Sequence, residues 1–334
     1  MPAEVKRIHA WTEGVGCWGD DTLEGLIGAD GSRALPTKPP VGKTIVLTSG
    51  TTGTPKGAER PSPNGIGVVN AILSRIPLTA QQPALVSAPL FHTWGFAAFQ
   101  IGSLMGSTLI LRRKFDPEMT LSDTAMHRAR TLVVVPVMLQ RILELGDEVI
   151  AKYDLKSLKT IDASGSALPG ELATKVMDAF GDVLYNLYGS TECAIATIAV
   201  PDDVKWAPKS VGKPVLGAQV RVVGDDGRDV ASGVTGRIFV GSVTPFEGYT
   251  GGGHKDMIDG LLATGDVGHF DGSGRLYIDG RDDEMIVSGG ENVFPREVED
   301  LLSSHPEVAE AAVIGVPDDE FGQRLLAFVA LEDG

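Results

Sequence analysis

Thr48-Ser49-Gly50-Thr51-Thr52-Gly53-Thr54-Pro55-Lys56-Gly57 follows directly on the apolar run Thr44-Ile45-Val46-Leu47, and this junction decides how the chain is read. Its ten residues carry five hydroxyls, three glycines and one lysine. A strand delivering such a loop to the carboxyl end of a sheet is how open α/β folds take their ligands. Glycines let the backbone come close, hydroxyls donate hydrogen bonds, and Lys56 brings a point charge suited to phosphate. A flexible Ser/Thr/Gly linker would need neither the strand before it nor the Pro55-Lys56-Gly57 close.

Outward from this loop, short β-rich runs alternate with helical patterns as far as residue 200. Strands are predicted over Ile45–Thr48, Ala84–Ala88, Thr108–Leu111, Thr131–Val135, Thr160–Ala163 and Val183–Leu187. Helices are predicted over Gly67–Arg75, Glu118–Arg128, Val137–Lys152 and Gly170–Ala179, the last three led by a proline suited to a first turn. The alternation predicts a layered α/β large domain with a mostly parallel sheet over 1–209. From Ser210 to Gly280 short strands separated by glycine turns, such as Gly224-Asp225-Asp226-Gly227, predict a β-rich subdomain. A hinge is expected at 281–283. A small, incomplete α+β domain over 284–334 is expected beyond it, with a helix near Glu297–Ser304 and paired strands at Ala309–Val316 and Leu325–Leu331.

The net charge of −15 argues against a nucleic-acid or anionic-membrane surface, so an anionic ligand must be captured by local donors. No apolar run reaches the roughly 18 residues of a membrane helix, and Cys17 and Cys193 without a signal peptide fit a reducing cytoplasm. His9, His127, His254, His269 and His305 show no metal-ligand spacing. Two fragments imitate nucleotide motifs. Gly14-Val15-Gly16-Cys17-Trp18-Gly19 has the G-x-G-x-x-G form, but Asp20 and Asp21 follow where a pyrophosphate would sit, and it reads as a surface turn. Gly42-Lys43-Thr44 resembles the end of a Walker A loop, yet Thr37 stands where its first glycine belongs.

Further motifs follow in order: Pro89-Leu90-Phe91-His92-Thr93-Trp94-Gly95, Ala163-Ser164-Gly165-Ser166-Ala167-Leu168, and Tyr188-Gly189-Ser190-Thr191-Glu192. After them come Ala263-Thr264-Gly265-Asp266, Gly280-Arg281-Asp282-Asp283 and Ser288-Gly289-Gly290-Glu291-Asn292-Val293-Phe294-Pro295. Together with the loop, this series resembles the adenylate-forming superfamily of acyl-CoA synthetases, luciferases and peptide-synthetase adenylation domains. The resemblance covers residues 44–334.

The resemblance implies that Thr48, Ser49, Gly50, Thr51, Thr52, Gly53, Thr54 and Lys56 hold the β- and γ-phosphates of ATP. It implies that Tyr188 stacks on adenine beside Ser164, Gly165, Ser166 and Gly189, that Asp266 reaches the ribose, and that Arg281 reaches ribose or phosphate. Glu192, with Thr191 beside it, is implied as the Mg2+ ligand, since a hard cation bridging phosphates needs a carboxylate. His92 is implied as a gate towards the acyl pocket, with Phe96, Ala97, Ala98 and Phe99 as a pocket wall or plain core. Asp283 is implied as the hinge pivot, and Ser288, Gly289 and Gly290 as the approach for the pantetheine arm of coenzyme A. Structural alternatives stay open: a core tyrosine, a turn-capping aspartate, a hinge ion pair, a glycine turn.

The implied chemistry is attack of a carboxylate on the α-phosphorus of MgATP, giving acyl-AMP, followed by displacement of AMP by the thiol of coenzyme A. The form Ser-Gly-Gly-Glu-Asn-Val-Phe-Pro resembles CoA ligases, and the expected substrate is a medium- or long-chain fatty acid. The chain departs from the family pattern in having no lysine after Lys255, and residues 284–334 number about half of the family's C-terminal domain. Met1 is accordingly expected to start inside a longer family protein, leaving edges open to self-association. Rival readings are a nucleotide or acyl-adenylate binding fragment without turnover, a fragment completed by a separate piece, and an acyl-AMP ligase serving a carrier protein.

Overall fold

The computed structural model describes residues 8–9, 21–22, 25, 44–48, 56–60, 67–242, 248–249, 255–288, 291–318 and 321–331. The chain divides into two compact units, Met1–Gly42 and Lys43–Gly334. In the first, Ile8–His9 pairs in parallel with Asp21–Thr22; the Gly14–Gly19 turn and Cys17 lie outside the described residues.

The second unit is built on a seven-stranded sheet. Its order is Lys213–Pro214, Ala194–Ala199, Leu184–Ser190, Thr160–Ala163, Thr131–Val134, Ala84–Val86, Leu109–Leu111. The five strands from Leu109–Leu111 to Leu184–Ser190 run parallel, and the last two turn antiparallel. This is the mostly parallel α/β sheet expected from the alternation of strand and helix patterns.

Helices cover both faces, as parallel strands require. On one face Leu132, Val134, Ile161 and Leu184 pack with Leu139 of the helix Pro136–Leu143 and Val176 of the helix Gly170–Phe180. On the other, Val86 and Val133 meet Trp94 and Ala98 of the helix Thr93–Leu104. Tyr185 and Leu187 on that face pack with Ile72 and Ile101. Side chains alternate along each strand, so neighbouring residues feed opposite faces.

Two expectations need correction. The strand Thr44–Thr48 does not join the parallel sheet; it pairs antiparallel with Lys56–Arg60, which in turn pairs with Gly248–Tyr249. The physical reason is loop length. Seven residues between the two strands close a hairpin, whereas a parallel crossover needs a dozen or more. The helix expected over Val137–Lys152 is two helices, Pro136–Leu143 and Asp147–Ile150, because Gly146 takes φ +79 and ends the helical run. The residues read as a pocket wall or plain core lie in the helix Thr93–Leu104, of which Gly95, Ile101 and Gly102 are buried and Gln100, Ser103 and Leu104 exposed.

Residues 210–280 carry the expected β-rich part. It is an antiparallel sheet ordered Gln219–Val223, Gly236–Gly241, Leu261–Phe270, Met257–Ile258, with Leu276–Arg281 also on Leu261–Phe270. Beyond it, Ile286–Ser288, Glu291–Val293, Val308–Asp318 and Gly322–Leu331 form a four-stranded sheet beside the helix Pro295–Ser303. Glu299 Oε1 accepts a hydrogen bond from the Val313 amide at 2.9 Å, tying that helix to the sheet. Leu301, Phe328 and Leu331 of this part are exposed. Among the described residues no helix is long and apolar enough to cross a membrane.

Candidate functional site

The motif residues converge because parallel strands bring their carboxyl ends to one edge. The strand Thr160–Ala163 ends at Ser164, whose Oγ donates to Leu187 O at 2.9 Å and whose amide donates to Val134 O at 3.4 Å. Ser164 is half-buried, while Gly165 and Ser166 are exposed at the rim.

The next strand, Leu184–Ser190, carries Tyr188 and Gly189. A side chain at Gly189 would place its Cβ 1.9 Å from the Ala194 carbonyl oxygen, so the close strand turn admits only glycine. Ser190 Oγ accepts the amides of Glu192 at 3.2 Å and Cys193 at 3.0 Å, which locks the turn presenting Thr191 and Glu192. Cys193 is buried as a small packing residue among Val222, Ile238 and Leu276.

Tyr188 reaches across to the β-rich sheet, its hydroxyl donating to Asp266 Oδ2 at 2.5 Å. Burial, then the Asp266 charge and the hydrogen bond to it, hold the Tyr188 phenol well above the usual range. Asp266 stands opposite Arg281 in the antiparallel pairing, and Arg281 Nη1 donates to Asp266 Oδ1 at 3.2 Å. The same guanidinium donates from Nε to Asp283 Oδ1 at 3.2 Å. Burial works against the Arg281 charge, and the two carboxylates outweigh it, raising its pKa. Arg281 thus ends its strand and ties Asp266 to Asp283 of the short turn Asp282–Glu284, which overlaps the hinge expected at 281–283.

Thr264 Oγ1 donates to Ile238 O at 3.1 Å and accepts the Asp266 amide at 3.0 Å, fixing the Thr-Gly-Asp turn. Here lies a residue that reading the sequence for function missed. Lys255 Nζ donates to Thr264 O at 2.9 Å and stands 3.9 Å from Glu192 Oε1. No motif marks Lys255; only the fold of the strand Leu261–Phe270 back over the Glu192 turn brings the two together. Thr93 was likewise missed, and its Oγ1 lies 2.8 Å from Thr191 Oγ1.

His92 precedes the helix Thr93–Leu104, exposed, with its ring tilted against the exposed Phe91 at 4.4 Å. Trp94 Nε1 donates to Val134 O at 3.0 Å, the same carbonyl that Ser164 uses. The phosphate-type loop closes between Thr48 and Lys56, which pair in register. Ser49, Gly50, Thr51, Thr52, Gly53 and Thr54, and the side chains of Thr48 and Lys56, lie outside the described residues. So do Gly289 and Gly290. Ser288 pairs in register with Glu291 and Gly322.

Among the described residues no group of three or more His, Cys, Asp or Glu side chains could hold a metal alone. The donor set of Glu192 and Thr191 still fits Mg2+, which keeps several waters and takes one or two carboxylates plus substrate phosphates.

The family described as AMP-binding enzyme matches residues 25–250, and the AMP-binding enzyme C-terminal domain matches 297–334. An indoleacetate–CoA ligase of Aromatoleum aromaticum is 37% identical over 324 residues, covering 94% of this chain and 62% of the relative. A feruloyl-CoA synthase of an Amycolatopsis species is 36% identical, covering 87% of this chain and 60% of that one. The solved o-succinylbenzoate CoA synthetase of Bacillus subtilis, in complex with its acyl-adenylate intermediate, superposes with a TM-score of 0.78 at 30% identity. That match covers 87% of this chain and 59% of the solved one. The chain thus spans about three fifths of the length of these relatives.

Proposed function

The chain belongs to the AMP-binding enzyme family, and we propose from that premise that it is the adenylating core of an AMP-forming acid–thiol ligase. The observation that carries the proposal is the continuous polar chain Tyr188–Asp266–Arg281, which crosses from the parallel sheet to the β-rich one. It sits one turn from the Lys255–Glu192 pair. A ring, a paired acceptor for ribose hydroxyls and a carboxylate with a cation beside it are the groups a bound MgATP needs.

In this reading Tyr188 faces adenine and Asp266 takes the ribose hydroxyls, with Arg281 holding the Asp266 carboxylate in orientation. Thr191, Glu192, Lys56 and His92 surround the reacting centre, and the Thr48–Lys56 loop holds the β- and γ-phosphates. Glu192 would hold Mg2+, which would offset phosphate charge against an approaching carboxylate. Lys255 keeps the Glu192 carboxylate turned inward and adds positive charge to an acidic chain. Catalysis of this kind rests on positioning and electrostatics, because an anion attacks an anion. Residues 281–283 serve as the hinge between 210–280 and 284–334, with Asp283 as pivot, and Ser288, Gly289 and Gly290 receive coenzyme A. The relatives are named for indoleacetate and ferulate, and others for sulfoacetate and medium- or long-chain fatty acids, which supports a carboxylic acid as the substrate, a medium- or long-chain fatty acid among the candidates.

The test is pyrophosphate release with ATP, Mg2+ and a panel of ring-bearing and fatty acids, alongside CoA transfer from presynthesised acyl-AMP. Acid-dependent pyrophosphate release is the expected result. ATP binding with neither half-reaction would reduce the function to adenylate binding, and absence of ATP binding would end the proposal.

A further inference from the structure

One cation in the site has more donors than partners. The Lys255 ammonium carries three N–H groups, and one of them donates to Thr264 O at 2.9 Å. Glu192 Oε1, at 3.9 Å, attracts the charge but lies beyond hydrogen-bond reach. The other two donors have no hydrogen-bond partner among the described residues. The Lys255 side chain is 26% exposed and that of Glu192 11%, so water screens the two charges only in part.

The segment bearing Lys255 is braced from two further sides. The Ala263 amide donates to Asp256 O at 2.8 Å. The Asp256 carboxylate accepts from Arg237 Nη2 at 3.0 Å, and Arg237 Nε stands 3.0 Å from Asp282 Oδ2. Arg237 in turn leans on the Phe239 ring, its guanidinium carbon 5.4 Å from the centroid. Only the Lys255 side chain has to move to meet a ligand, and a group placed in advance in this way binds at a low ordering cost.

The connectivity of a nucleotide says which part that ligand presents. Thr264, whose carbonyl anchors the ammonium, is two residues before Asp266, the acceptor for ribose hydroxyls in the reading above. Glu192, on the other side, is the carboxylate for the metal that bridges phosphates. In a nucleoside triphosphate the group between ribose and the outer phosphates is the α-phosphate.

We propose that Lys255 donates to the α-phosphate of the bound nucleotide, a grip that needs no metal and persists in AMP and acyl-AMP. This rests on the adenylating reading and adds a residue to it. The α-phosphorus is the atom that the carboxylate attacks as pyrophosphate leaves, and a cationic donor on its oxygens stabilises the charge gathered there. With a net charge of −15, the chain must supply such an attraction locally.

The experiment is calorimetry on the full chain with adenosine and AMP, both in EDTA, and with ATP and Mg2+. Wild type is compared with Lys255→Met, Lys255→Arg, Glu192→Gln and a variant carrying both Lys255→Met and Glu192→Gln. Lys255→Met is expected to weaken AMP and ATP alike by about tenfold or more, as loss of a charge-assisted bond does, and to leave adenosine unchanged. Lys255→Arg should restore most of the AMP affinity. The loss on AMP should be equally large in the Glu192→Gln background, because the contact is with phosphate. A loss on ATP alone would put Lys255 on the outer phosphates and overturn the proposal. An equal loss on adenosine would make its role structural, and a loss that vanishes beside Glu192→Gln would make it only the partner of Glu192; either result overturns the proposal. Unaltered affinities in Lys255→Met sink this inference and leave the adenylating core standing. A wild type that binds neither AMP nor ATP sinks both.

Discussion

Asp162→Asn allows the cost of the buried carboxyl to be measured in the empty protein. Burial pushes the Asp162 carboxyl up from 3.8 to about 7, with partial relief from the Thr160 hydroxyl. The folded state therefore holds a proton that the unfolded chain releases at lower pH. For a carboxyl raised in this way, stability is greatest below the unfolded value, falls as pH rises towards 7, and is level above it. At ~1.4 kcal/mol per pH unit the whole interval corresponds to about 4 kcal/mol. Roughly 2–3 kcal/mol of it accrues between pH 5 and pH 8. The assay is urea unfolding followed by tryptophan fluorescence at both values, for wild type and Asp162→Asn without ligand. Other carboxylates titrate equally in both proteins, so the difference between them isolates this group. Wild type should lose about 2–3 kcal/mol relative to the variant on going to the higher pH. Parallel behaviour of the two proteins would refute the reasoning, because Asp162 would then be hydrated or paired in the fold.

Gly189→Ala should destabilise the chain by about 3 kcal/mol or more, seen as a lowered unfolding midpoint, because its Cβ meets backbone at 1.9 Å and cannot be relieved by a rotamer. Asp266→Asn should weaken ATP binding about tenfold or more and bring the Tyr188 phenol down towards its ordinary range in an ultraviolet pH titration, since the Asp266 charge helps to raise it. Lys255→Met should weaken ATP binding while leaving the unfolding midpoint within about 1 kcal/mol of wild type, because the pair with Glu192 is a 3.9 Å contact and not a core bond. Glu192→Gln should flatten the Mg2+ dependence of ATP binding; a dependence unchanged from wild type would remove Glu192 from the metal's shell.

The sequence was most readable where its pattern was local. Thr131–Val134 and Thr160–Ala163 announced themselves as buried strands by short runs bounded by loops. Tyr188, Asp266 and Arg281, singled out from three separate motifs, meet in one hydrogen-bonded chain. What failed to read were relations between distant segments. Lys255 and Glu192 are separated by 63 positions and meet only through the return of the strand Leu261–Phe270. Asp162 carries no motif at all, and its meaning appears only when the sheet row Val86–Val133–Asp162–Tyr185 is assembled.

The loop that opened the reading divides along the same line. By itself the sequence offered Thr48–Gly57 as a loop whose glycines, hydroxyls and lysine suit phosphate. It also determined the α/β alternation, since periodicity and proline placement act within a few residues. Only the tertiary structure decided that this loop closes an antiparallel hairpin stitched to Gly248–Tyr249, outside the parallel sheet. Only it set Asp162, with one carboxyl oxygen lacking a partner, in the lining of the slot that Trp94 also lines. Strand pairing and burial are settled by partners far along the chain, and no stretch of sequence contains its own partners.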